Sequence, residues 1–101
     1  MAQAAARNLE IASPNGEKRP VRILVGAPRR SRHQGWYCPI RMKGIFDGER
    51  RFFGADSWQA LTFALRFVEL ELRSEVRRGM RLYHYGEKIS VNQLFATDIP
   101  K

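Results

Sequence analysis

Apolar residues recur at every second position in the first half of the chain and at three- and four-residue intervals in the second half. Leu9 and Ile11 alternate with Asn8 and Glu10. Val21, Ile23 and Val25 form a second alternating run. Trp36, Cys38, Ile40 and Met42 then alternate with Tyr37, Pro39, Arg41 and Lys43. A period of two is that of a strand with one buried face, so these runs predict three strands. Residues 49–54 complete a fourth. Ser13-Pro14-Asn15-Gly16 and Asp47-Gly48 contain the Asn-Gly and Asp-Gly pairs that close tight hairpins. Pro39 cannot donate to a ladder, which predicts an edge or irregular position for it. Pro28 to Gly35 reads as a polar loop carrying Arg29, Arg30 and Arg32.

The period lengthens after Gly54. Asp56 is placed to accept from the first N–H groups of a helix, and Gln59 to reach back to the Asp56 N–H, as in a capping box. The spacing predicts a helix from Ser57 to Arg78, with Gly79 just past its end and Arg77 and Arg78 at the terminus that favours cations. Glu69 and Arg73 form an i,i+4 pair on it. Trp58, Leu61, Leu65, Val68, Leu72 and Val76 make one apolar stripe, expected to pack on the sheet, with Ala60 and Ala64 beside it allowing close approach.

Phe63, Phe67 and Leu70 lie round the helix from that stripe and form a second apolar group. A helix lying on one sheet does not need so broad an apolar surface. Either the C-terminal segment folds back over it through Leu94, Phe95 and Ile99, or a homodimer or protein partner covers it. Beyond Gly79, residues Leu82 to Tyr85 suggest a fifth strand turning at Gly86, and Ser90 to Ala96 fit a short helix or a loop.

The whole reads as a single α+β domain over residues 1–101: an antiparallel sheet of four to five strands in a β-meander, packed against one long α-helix. Residues 1–6 and 97–101 are expected to be loose ends. With 101 residues and 44% hydrophobic content, one core suffices. No apolar run approaches the roughly 20 residues of a membrane span. Residues 1–6 have neither a basic nor an apolar signal region, and the single cysteine, Cys38, forms no internal disulfide. These features point to a cytoplasmic protein with no membrane contact.

Net charge of +8 changes the picture, because a strongly basic chain favours anionic partners. With a two-residue loop at Asp47-Gly48, Lys43 would oppose Phe52 and Ile45 would oppose Arg50. The face turned away from the helix would then carry Tyr37, Arg41, Lys43, Arg50 and Phe52, extended by Arg29, Arg30 and Arg32. Cations hold phosphates and aromatic rings stack on bases, so this face is a candidate for nucleic acid. A register slip of one residue would exchange the faces.

Other chemistry finds little support in the residues. Two histidines, His33 and His84, and one cysteine are too few and too scattered for a typical zinc site, and no metal or cofactor is expected. Cys38 alternates in phase with core residues, where a thiol behaves as a small hydrophobe. Asp47 and Glu49 are explained by a turn and Asp56 by capping. No nucleophile elbow, P-loop or dinucleotide fingerprint occurs, so the expectation is a protein that is not an enzyme.

The pairing of a Trp36-x-Cys38 strand with Gly54-x-Asp56-Ser57-x-Gln59-Ala60-Leu61 resembles a family of small uncharacterised bacterial domains, over about Leu9 to Val76. That resemblance implies a compact α+β protein and no activity or ligand. The run from β-meander through Asp56 and Ser57 into an Ala-Leu helix is also loosely similar to antitoxins of the HicB type, which implies a partner-binding role. The leading expectation is a non-enzymatic interaction module using Phe63, Phe67 and Leu70; the alternative is a nucleic-acid-binding protein using the basic sheet face.

Overall fold

The structure, a computed structural model, describes residues 2–95. It contains strands β1 (Gln3–Ala12), β2 (Lys18–Gly26), β3 (Arg29–Arg30), β4 (Trp36–Lys43) and β5 (Glu49–Gly54), then helix α1 (Ser57–Arg77). The hairpin β6 (Arg81–His84) and β7 (Glu87–Ile89) follows, and then the single turn α2 (Val91–Leu94). All strands pair antiparallel in one sheet, in the spatial order β5, β4, β2, β1, β6, β7, with β3 pairing the Trp36 end of β4. Helix α1 lies on one face, mainly over β4 and β5. The architecture is the expected α+β meander with one long helix; β3 and β7 are additional strands.

Several expectations are corrected at the ends of elements. Gln3 to Ala6 are not a loose end, because β1 begins at Gln3 and pairs with β2 out to Gly26. The fifth strand has a partner, since Tyr85 and Gly86 both have positive φ (51° and 79°), as a type I′ turn requires, and return the chain as β7. Ser90 accepts from the Gln93 N–H while the Gln93 side chain accepts from the Ser90 N–H, a capping box that starts α2. Residues 97–101 lie outside the described residues. Pro39 stands where β4 changes partner from β2 to β3, so its missing N–H falls at an interruption of the ladder. There the Cys38 thiol donates to the Gly26 carbonyl at 3.2 Å.

Helix α1 starts at Asp56, whose carboxylate accepts from the Gln59 N–H at 2.7 Å. Gln59 reaches back one residue further than expected, accepting from the Ala55 N–H at 2.7 Å. At the other end the Gly79 and Met80 N–H groups donate to Val76 and Glu75 carbonyls, and Gly79 has φ +92°.

The buried line of the helix is Ala60, Ala64, Val68 and Leu72, each four residues from the last. This corrects the expected stripe: Val68 and Leu72 belong to it, whereas Trp58 is 80% exposed, Val76 44% and Leu65 38%. The cause is the size of the residues. Two alanines and Gly54 let the helix sit close to β5, and a Cβ on Gly54 would lie only 2.5 Å from the Ala60 nitrogen. The helix therefore rotates its small residues inward and leaves the larger ones on its flanks. Beneath it Leu9, Ile11, Val21, Ile23, Cys38, Ile40 and Met42 form the core.

Candidate nucleic-acid interface

The register of β4 and β5 decides what the uncovered sheet face carries. The Met42 carbonyl accepts from both the Ile45 and Phe46 N–H groups, so the chain turns directly after β4 and the loop spans Gly44 to Gly48. Cys38 then opposes Phe52, Ile40 opposes Arg50 and Tyr37 opposes Phe53. The expected pairing of Lys43 with Phe52 differs from this by an odd number of residues, which sends Arg50 and Phe52 to the helix side. There Phe52 packs on Phe67 with centroids 4.6 Å apart, Phe46 meets Phe67 at 6.0 Å, and the Arg50 guanidinium covers Phe46 at 4.4 Å and Phe67 at 5.5 Å.

Arg51 and Phe53 take the outer places. Arg50-Arg51 and Phe52-Phe53 are doublets, so either register gives each face one arginine and one phenylalanine. The outer rows follow from the pairings: Phe53, Tyr37 and Arg29; Arg51 and Pro39; Glu49, Arg41 and Leu24; Lys43, Arg22 and Asn8; then Pro20, Glu10, Tyr83 and Lys88. Lys18 and Arg81 flank Ala12 at the far end. Lys18, Arg22, Arg29, Arg41, Lys43, Arg51, Arg81 and Lys88 are all exposed. The opposing charges in these rows are Glu10 and Glu49. Among the described residues no helix packs on this face.

Local geometry organises the β4–β5 corner. Glu49 accepts from Arg51 Nε at 2.9 Å and lies 4.0 Å from Arg41 Nε. The Arg51 guanidinium sits 4.7 Å above the Tyr37 ring, whose centroid is 5.9 Å from that of Phe53. Phe53 is 41% exposed. At the opposite side of the sheet Lys18 Nζ lies 4.5 Å over the Tyr83 ring.

Of the residues expected on this face, Tyr37, Arg41, Lys43 and Arg29 are on it. Arg50 and Phe52 are not. Arg30 opposes Trp36 and lies 5.9 Å over its ring on the helix side, and Arg32 is exposed in the connecting loop. Sequence reasoning missed Lys18, Arg22, Arg51, Phe53, Arg81 and Lys88. Arg22 and Lys18 are in phase with the polar positions between Val21 and Ile23, and that signal was available.

The second apolar group on the helix is split by the packing. Phe67 is half-buried under Phe46, Phe52 and Arg50, whereas Phe63 and Leu70 are 47% and 46% exposed. Leu94 and Phe95 do not cover them. They lie on the opposite flank, beside Leu65, Leu72 and the Ala5–Arg7 segment of β1; Ile99 falls outside the described residues. Burial pushes the Cys38 thiol above its ordinary pKa, so its nucleophilic thiolate is disfavoured. Among the described residues no three His, Cys, Asp or Glu side chains converge as metal ligands. No helix there is long and apolar enough to cross a membrane.

Comparison with known proteins finds one family. Its model, described as a domain of unknown function (DUF6968), matches residues 5–92. No curated protein matches, and neither does any solved structure.

Proposed function

We propose, for a chain that belongs to the DUF6968 family and takes no assigned activity from it, that this protein binds single-stranded nucleic acid on the outer face of its sheet. The observation that carries this reading is the segregation of charge and rings: Arg22, Arg29, Arg41, Lys43 and Arg51 project from adjacent strands on the same face as Tyr37 and Phe53, with no layer over them among the described residues. Cations spaced across a sheet follow a phosphate backbone, and an exposed ring stacks on any base. Exposed rings stack on unpaired bases, which a duplex keeps inside its own stack, so single strands fit this face better than duplex.

The interaction-module reading keeps a narrower basis. Phe63 and Leu70 stay half-exposed, but Phe67 is held by its own sheet. Fluorescence anisotropy with labelled single-stranded and duplex oligonucleotides of mixed sequence separates the readings. The proposal expects single strands to bind more tightly than duplex, with binding lost on the double charge reversal Arg41→Glu/Arg51→Glu. Equal binding by that variant, or no binding at physiological salt, removes the sheet face as the site.

A further inference from the structure

Strand β1 has an open edge in the middle of the sheet. It runs from Gln3 to Ala12 with β2 along one side, but β6 pairs only with Glu10, Ile11 and Ala12 on the other. Among the described residues nothing pairs with Gln3 to Leu9 on that side. The hydrogen-bond phase shows which groups are left. The Ser13 N–H donates to the Glu17 carbonyl across the β1–β2 hairpin. Peptide groups alternate sides along an antiparallel strand, so the odd-numbered residues of β1 bond to β2. Glu10 and Ala12 accordingly turn toward β6, and Ala6 and Asn8 turn their N–H and C=O groups into the open edge.

Protected edges carry charges, prolines or covering loops. This one carries Ala4, Ala5, Ala6, Arg7 and Asn8, with one irregularity at Ala4. Above it, on the helix side, runs an apolar flank. Leu65, Leu94 and Phe95 line a small cleft with Ala5 and Ala6, and Trp58, two helical turns before Leu65, is 80% exposed on the same flank of α1.

We propose that the β1 edge and this helix flank form the interface with a second copy of the chain, the two β1 strands pairing antiparallel about a two-fold axis at Ala6. The self-complementarity of the edge selects this occupant. With Ala6 opposite Ala6 of the second copy, the outward N–H and C=O groups of each satisfy the other, and Arg7 falls opposite Ala5. Centring on Arg7 instead would set two arginines face to face, which is unfavourable. Pairing the two edges brings the Leu65, Leu94 and Phe95 flank of each copy beside the other, so apolar surface is buried together with the strand edges. The axis is perpendicular to the sheet, so both basic faces point the same way.

The test is sedimentation equilibrium of the full chain, with site-directed variants. A dimer is expected, and it tightens as salt rises because each copy carries +8. Ala6→Lys sets like charges opposite one another across the axis and leaves every β1–β2 bond intact, so it yields a monomer with an unchanged circular dichroism spectrum. Ala6→Pro removes the outward N–H and weakens association likewise. Ala6→Cys supplies a positive readout. Cα atoms in a hydrogen-bonded pair are about 5.5 Å apart, within disulfide reach, so mild oxidation links two copies there, while Asn15→Cys in the hairpin turn does not link. A monomer at every salt and protein concentration overturns the proposal. So does a dimer that Ala6→Lys leaves intact, or a monomer whose Ala6 and Asn8 amides resist hydrogen exchange, since another segment of the same chain would then hold the edge.

Discussion

Leu65 and Leu72 lie two turns apart on one helix, and the chain alone gives no reason to separate them. The structure does: Leu72 is fully buried and Leu65 is 38% exposed. Leu72→Ala is expected to cost about 2–5 kcal/mol, the range for a cavity in a close-packed core. Leu65→Ala removes less buried surface and should cost clearly less. Urea unfolding of both variants checks this, and equal losses would mean that the helix is rotated from the position described. Gly54→Ala tests the same packing from the sheet side. Its new methyl would meet the Ala60 backbone at 2.5 Å, where neither partner is a flexible side-chain end. Overpacking of this kind costs about 1–3 kcal/mol, so a midpoint equal to that of the parent protein would be inconsistent with the close approach. Glu49→Gln belongs at this scale too. Glu49 engages Arg51 and Arg41, and removing its charge should strengthen oligonucleotide binding if those arginines meet phosphate.

At the level of elements, local chemistry was legible and its long-range consequences were less so. Strand alternation placed β2 and β4, and the Asp56 cap placed the start of α1, because each signal lies within a few residues of the feature it determines. Asp56→Ala is accordingly expected to cost about 1 kcal/mol in thermal or chemical unfolding. The loop after β4 shows where such reading fails. Asp47-Gly48 signals a tight two-residue turn, but the bonds from Ile45 and Phe46 to the Met42 carbonyl end the strand earlier. Phe46 also gains a place against Phe67. A preference worth a fraction of a kcal/mol at the turn gives way to the burial of large rings, at about 25 cal/mol per Å² of apolar surface. The resulting odd shift exchanged Phe52 for Phe53 and Arg50 for Arg51 on the candidate face. Helix rotation escaped the sequence for a related reason. Hydrophobicity ranks Trp58 and Leu65 above Ala60 and Ala64, whereas close approach to Gly54 depends on small size.

For the whole molecule, the consequence lies in how +8 is distributed. One side of a single sheet bears most of its exposed strand cations, and the other side bears the helix and core. This asymmetry makes salt a diagnostic variable of both proposals, with opposite signs. Binding to a single strand releases about 0.7 counterions per phosphate neutralised. If Lys18, Arg22, Arg29, Arg41, Lys43 and Arg51 each meet a phosphate, the logarithm of affinity should fall against the logarithm of salt with a slope of about −4. Arg51→Gln should reduce that slope by about 0.7, while Arg32→Gln, outside the sheet face, should change it little. Self-association through the β1 edge brings two like-charged bodies together, with Arg7 of each copy beside the seam, so it should strengthen as the same salt is added. Measured together on one sample, falling oligonucleotide affinity and rising dimer fraction would assign the charge to the sheet face and the contact to the edge. A slope near zero would instead leave the basic rows as a solvated surface, because phosphate contacts of the proposed number cannot form without releasing their counterions.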